Sequence, residues 1–267
     1  MNKTIGFVGA GKMAQAMIEG IVKSNIIPKE NIIVSAMTEK TLGKIKHNYN
    51  IVTTRHNKEV ASAADILILA VKPDLHELII EEIKSDIKQE VIIVTIAAGI
   101  SLLDIERAFG TKVRVVRTMP NTPSLVGEGM TALCANDYLS EEEFAEVEHL
   151  FTAFGQTERL EEKLMDAVPS ISGSSPAYVY LLIEAMADGG VRQGIPREKA
   201  YRLAAQAVLG AAKMVLETGI HPGELKDQVC TPGGATIEAV AALERNQFRG
   251  AVMTAMESCT KKVTTLL

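Results

Sequence analysis

Along the first part of the chain, short runs of nearly unbroken apolar residues alternate with stretches of helical periodicity. TIGFVG, NIIVSA, DILILAV, VIIVTIA and VRVVRT read as strands, rich in β-branched residues and apolar on both faces. Gly11 to about Ser24 and Glu39 to His47 have apolar positions at helical spacing. Strands without polar alternation, separated by helices, predict a parallel sheet covered on both faces. TALCAN and GQTERL add two weaker strands around the acidic helix SEEEFAEVEHLFTAF. From about Glu162 the pattern changes and no strand is expected. PAYVYLLIEAMADGGVRQG, PREKAYRLAAQAVLGAAKMVLETG and the last thirty or so residues read as long helices, several apolar over most of their circumference. The prediction is an α/β chain: a doubly wound sheet domain over residues 1–162, then an all-helical domain over 163–267.

Composition narrows the function classes. An apolar content of 47% in 267 residues is enough for one large or two modest cores. The net charge is −5, aromatics make up 4% and Trp is absent. A nucleic-acid binder needs a basic stripe or a stacking platform, and neither is present. The apolar runs are too short to cross a membrane, and no secretion signal is expected before the first strand. Cys134, Cys230 and Cys259 are odd in number and far apart, which fits reduced thiols in a cytoplasm. The five histidines show no ligand spacing, so no metal is expected.

FVGAGKMAQAM carries Gly9-x-Gly11-x-x-Ala14 directly after a strand and at the start of a helix. That context makes it a dinucleotide loop of the Rossmann type. Gly9 turns the chain, Gly11 lets a pyrophosphate approach the backbone, and Ala14 lets the helix pack closely on the sheet. NAD sites end the second strand with an acid that grips the ribose 2′-hydroxyl. Here Ser35 stands there, which favours NADPH with NADH possible. Lys40, Arg55 and Lys58 are candidate counter-charges for a 2′-phosphate, and each can equally be a solvated surface residue.

The second unusual stretch is TPGGAT, Thr231 to Thr236, which interrupts a helical, Ala-rich region. Helical spacing resumes at Ala235, so free N–H groups and a positive dipole end point back at the loop. That arrangement suits an anion such as a carboxylate. The same residues in isolation are also compatible with a plain helix–loop–helix connection.

Over nearly its full length the chain resembles the pyrroline-5-carboxylate reductases, through IGFVGAGKMA, HNKEV, AVKP, AAGIS, MPNTP, SGSSPAY, ADGGVRQGIPR, AAQAVLGAAKM, HPGELKDQV and TPGGATIEAV. The resemblance implies NAD(P)H-dependent reduction of 1-pyrroline-5-carboxylate to L-proline, and a Rossmann domain followed by a helical dimerisation domain. It implies that Gly9, Ala10, Gly11, Lys12 and Met13 line the pyrophosphate, with Ser35 and Asn57 at the adenosine ribose end. Ala70, Val71, Lys72 and Pro73, with Ala97, Ala98 and Gly99, are expected further along the cofactor. Thr231, Gly233, Gly234, Ala235 and Thr236 are expected to hold the substrate, and Asn121 and Ser174 to lie in loops near it. It implies a homodimer or a higher multiple of dimers, each active site using one subunit's Rossmann domain and the partner's helices. Two positions depart from the family's Thr-x-x-Ser-Gly-Ser-Gly run: Pro169 and Ser175 stand at its Thr and final Gly.

The implied chemistry suits the residues. A cyclic imine nitrogen takes up a proton unaided, so a hydroxyl donor is sufficient, and Thr236 is the candidate catalytic residue. TPGGAT contains no titratable side chain, and SSPAYVYLLIEAMADGG contains no Lys or His. A 3-hydroxyacid dehydrogenase of similar build needs such a group to move the alcohol proton. Another imine reductase of the same two-domain build is a further alternative, and a non-catalytic NADPH-binding protein, the last, has no reason to carry TPGGAT.

Overall fold

The computed structural model describes residues 3–265. Packing divides the chain into two compact units. One comprises the residues up to Ser174 together with the C-terminal stretch from Cys259, and the other is Ser175–Ser258.

The first unit is built on one eight-stranded sheet. Its strands are β1 (Ile5–Val8), β2 (Ile32–Ser35), β3 (Val52–Thr54), β4 (Ile66–Leu69), β5 (Ile92–Thr95), β6 (Arg114–Met119), β7 (Gly129–Ala135) and β8 (Gly155–Arg159). Their spatial order is β3-β2-β1-β4-β5-β6-β7-β8. All neighbouring pairs are parallel except β6 with β7. The strand order reverses at β1 and β4, so the loops leaving these neighbours diverge and open a crevice. Register aligns Val8 with Ser35 and Leu69, Leu69 with Thr95, and Thr95 with Arg117. This row marks the carboxyl edge of the sheet.

Both faces are covered, as the apolar runs require. On one face α1 (Lys12–Ser24), α2 (Glu39–Tyr49) and α6 (Glu141–Phe151) bury Met17, Ile18, Ile45 and Phe151. On the other, α3 (Asn57–Ala63), α4 (His76–Ile83) and α5 (Leu102–Phe109) bury Val60, Ile80, Ile105 and Phe109. The short edge strand β3 is an addition to the predicted set. Val52 is largely exposed and its two partners are threonines, so no apolar run announces it.

The first unit extends past the boundary expected at 162. Met165 and Val168 are buried in the same core as β4 and β5. Arg117, 2% exposed on β6, is ion-paired with Glu162 at 3.5 Å and with Asp166. These contacts fasten the segment to the sheet before a π-helical turn at Pro169–Gly173. Proline opens that turn without loss, because an N–H there has no partner within the turn.

The second unit is wholly helical: α7 (Ser175–Arg192), α8 (Arg197–Thr218), α9 (Pro222–Val229), α10 (Ala235–Arg245) and most of α11 (Phe248–Val263). Its buried apolar residues are all alanines, Ala187, Ala200 and Ala204. Large apolar side chains instead lie exposed, among them Tyr180, Leu181, Leu203, Leu209 and Leu216.

Candidate active site

The dinucleotide loop has the geometry its glycines predict. Gly9 has φ +99°, and a β-carbon on it would lie 2.6 Å from the Ala70 carbonyl oxygen. Only glycine fits there. Its N–H donates to the Ser35 carbonyl at 3.2 Å, and the Ala70 N–H donates to the Val8 carbonyl at 2.8 Å. The loops after β1, β2 and β4 are thus tied together at the carboxyl edge. Gly11 is the N-cap of α1, with no side chain capping the helix. A β-carbon on Gly11 would meet no heavy atom within 4 Å. Free space beside the uncapped N–H groups of Lys12, Met13 and Ala14 is what a pyrophosphate needs.

Ser35 and Asn57, both expected at the ribose end, lie together at the end of β2 and the start of α3. Ser35 is fully buried, and its hydroxyl lies 2.7 Å from Asn57 Oδ1 and 3.4 Å from the Phe7 carbonyl oxygen. Its hydroxyl faces Asn57 and not the crevice. Asn57, at the start of α3, donates from Nδ2 to Glu82 at 2.9 Å. Of the three candidate cations, Arg55 pairs with Glu39 and Lys58 with Asp86. Lys40, exposed in the first turn of α2, has no partner among the described residues.

Ala70 to Pro73 follow β4, and Ala97 to Gly99 follow β5. Gly99 has φ +79°. Two buried polar residues, His76 and Thr95, lie beneath these loops, and neither belongs to a recognisable motif. A single histidine after AVKP has no motif of its own. Its role shows only through a contact with a residue nineteen positions away.

Asn121 is bound up in the protein. Its Nδ2 donates to the Ser172 carbonyl and its Oδ1 accepts from the Met130 N–H, both at 2.9 Å. It braces the π-helical turn against the start of β7, and its amide keeps a second N–H and a second lone pair for other partners. Ser174 accepts from the Cys259 thiol at 3.3 Å. Burial pushes the Cys134 thiol up to about 12, so it stays protonated and inert.

TPGGAT occupies the second unit. Gly233 has φ +70°, and the Gly234 N–H donates to the Thr231 carbonyl at 3.0 Å, closing a tight turn. Gly234 is the N-cap of α10 and no side chain caps this helix. A β-carbon on Gly234 would lie 2.4 Å from Thr231 Oγ1, so that hydroxyl stands over the helix start. Neither threonine serves as the cap. Thr236, one residue inside α10, makes no hydrogen bond with its hydroxyl among the described residues. The loop therefore presents open N–H groups and two hydroxyls at the positive end of an eleven-residue helix.

Comparisons with known proteins place the chain in a family. Residues 162–266 match the family model for pyrroline-5-carboxylate reductase dimerisation. Residues 4–99 match the model described as NADP oxidoreductase, coenzyme F420-dependent. The reductase of Escherichia coli strain K12 is 45% identical over 98% of this chain and 97% of its own length. The chain belongs to the pyrroline-5-carboxylate reductase family. Members of that family are NAD(P)H-dependent oxidoreductases acting on an imine. The Arabidopsis thaliana reductase is 42% identical over 97% of this chain and 93% of its own. A Plasmodium falciparum pyrroline carboxylate reductase solved with NADP bound superposes with a TM-score of 0.90 at 34% identity, covering 99% of this chain and 98% of that one. The Coxiella burnetii reductase superposes at 0.92 and 32%, covering 100% and 99%.

Proposed function

We propose that this protein reduces 1-pyrroline-5-carboxylate to L-proline, the last step of proline biosynthesis, with NADPH as the preferred reductant and NADH as a possible one. The observation that carries this reading is the uncapped start of α10 beneath the Thr231 hydroxyl, in a loop without a titratable side chain. A carboxylate is bound there by N–H groups at Ala235 and Thr236 and by the Thr231 hydroxyl. Binding at the carboxylate orients the ring, and orientation supplies much of the rate. The bound nicotinamide supplies the hydride to the C=N carbon. Thr236, with its hydroxyl otherwise unengaged, donates a hydrogen bond to the ring nitrogen.

On the cofactor side, Gly9 to Met13 fit a pyrophosphate by the free space at Gly11 and the uncapped start of α1. The unpaired Lys40 in the first turn of α2 supports NADPH. Asn121 and Ser174 act in this reading as supports of the loop before α7, and Ser35 as a support of Asn57. A hydroxyacid dehydrogenase is not favoured, because TPGGAT and α7 contain no Lys or His to move an alcohol proton. We place the enzyme in the cytoplasm as a homodimer or a multiple of dimers. No helix among the described residues is long and apolar enough to cross a membrane. Steady-state oxidation of NADPH on adding pyrroline-5-carboxylate, with proline as product, tests the reading. Cofactor binding without turnover would make the chain a sensor or scaffold instead.

A further inference from the structure

The loops that follow β4 and β5 leave the sheet side by side, and a buried histidine stands between them. His76 opens α4 and is 3% exposed. Its Nδ1 lies 3.1 Å from the Lys72 carbonyl oxygen, and its Nε2 lies 3.1 Å from Thr95 Oγ1. A carbonyl oxygen only accepts, so Nδ1 carries the proton and Nε2 accepts from the Thr95 hydroxyl. Thr95 Oγ1 accepts in turn from the Ala97 N–H at 3.3 Å. The Thr95 carbonyl takes the Thr118 hydroxyl at 2.9 Å, which holds the threonine to β6. One continuous chain of hydrogen bonds thus runs from Lys72 through His76 and Thr95 to Ala97. Its two ends lie in the two loops assigned to the cofactor.

We propose that His76 is a positioning residue that, as its neutral Nδ1–H tautomer, sets the spacing of the 70–73 and 97–99 loops for the dinucleotide. The proposal rests on the cofactor reading above. Burial favours the neutral ring, outweighing the Lys72 carbonyl, which favours the charged one. The charged groups near the ring are Asp74 and Glu77 on its own segment and Asp104 and Arg107 on α5, all lining the adjoining cleft. Asp104 is held by Ser101 in the cap of α5. Protonation would put a second N–H donor on Nε2. The Thr95 hydroxyl would then lose the acceptor of its own proton and face two donors, His76 and Ala97. The sign follows: the neutral ring is the binding form, so cofactor affinity falls as pH falls through the folded-state value, which lies below the ordinary 6.5.

The test is calorimetric binding of NADP+ to the full-length protein from about pH 8 down to about pH 4.5, a range that starts above the ordinary histidine value and runs well below it. His76→Phe keeps a ring and deletes both polar atoms. It should raise the Kd roughly tenfold at neutral pH, as loss of a net hydrogen-bonded link does. It should leave the KM for the imine level. His76→Gln, which can donate and accept, should recover part of the loss. The ratio of variant to wild-type Kd should shrink toward one as the pH falls. Titration of the cofactor's own 2′-phosphate is common to both proteins and cancels. A packing role alone would lower the Tm and leave these binding profiles superimposed, and that outcome overturns the proposal. If His76→Phe fails to fold, Thr95→Val breaks the same chain from its other side. Wild-type affinity in folded Thr95→Val overturns the proposal equally. Gly11→Asp is the control for the underlying reading, since it caps α1 and places a carboxylate where the pyrophosphate belongs. If Gly11→Asp binds NADP+ as well as the wild type does, the cofactor reading fails. If it loses binding while His76→Phe does not, only the assignment to His76 fails.

Discussion

At the scale of single residues, what a side chain touches decides its part more firmly than its place in a motif. Thr236 was picked out by its position in TPGGAT, and its free hydroxyl is compatible with the donor role. Thr236→Val keeps the shape and removes the donor. A single polarising hydrogen bond is worth on the order of 2 to 4 kcal/mol, so turnover should fall by roughly 30- to 1000-fold. Near-normal turnover would hand the ring-nitrogen proton to solvent. Ser35 shows the opposite case. Its position at the end of β2 suggests contact with the ribose, yet it is sealed beneath Asn57. Ser35→Asp would bury a carboxylate against the acceptors Asn57 Oδ1 and Phe7 O, at a cost of about 3 kcal/mol. We expect a Tm lower by roughly 5 °C or more, with no gain in NADH preference. Discrimination should instead respond to Lys40. Lys40→Ala should lower kcat/KM for NADPH by about fivefold, a typical loss for one exposed charge-assisted contact, and leave NADH unchanged. Equal effects on both cofactors would show that Lys40 is only solvated surface.

At the scale of elements, legibility followed the periodicity. The strands β1, β2, β4 and β5 were plain because each is a nearly unbroken apolar run, largely buried, and β6 because its two valines are β-branched and follow the same pattern. The short β3 was not, because a three-residue edge strand of one valine and two threonines carries no pattern. The segment 163–174 looked like the start of the helical domain because Met165 and Val168 are too few to form a period. Its packing on the sheet shows in the contacts of Arg117 with Glu162 and Asp166, while the dimerisation model begins at residue 162. His76 was opaque in the same way, since it acts through a partner distant in sequence. The α10 entrance was legible because its glycines, threonines and helix restart are adjacent. It also yields the sharpest contrast with Thr236→Val. A valine at Gly234 would drive its β-carbon into Thr231 Oγ1 and crowd the uncapped N–H groups. The KM for the imine should rise tenfold or more, in line with the loss of a charge-assisted contact, while the KM for NADPH stays level. Steady-state kinetics varying each substrate in turn checks this. A matching rise in both KM values would point to general misfolding.

At the scale of the whole molecule, the two units differ in how they could hold together. The sheet unit buries large side chains on both faces. The helical unit buries only alanines of its own, while Leu181 is 68% exposed and Leu203 61%. Each such leucine forgoes about 1.5 to 3 kcal/mol when left in water. Exposed leucines on both α7 and α8 are the mark of a surface that another chain covers. The match to the dimerisation model over 162–266 supports a second copy as that chain. Light scattering should therefore give a dimer or a multiple of dimers, and the Tm should rise with protein concentration. Leu181→Glu and Leu203→Glu separate this from a monomer with an untidy surface. On a monomer both positions are already in water, and the changes would shift stability by about 0.5 kcal/mol or less. In an assembly each would bury an unpaired carboxylate, so the mass should fall toward one chain and activity should be lost with it. A fully active monomer, or two variants indistinguishable from wild type in mass and melting, would leave those helices without the role their composition demands.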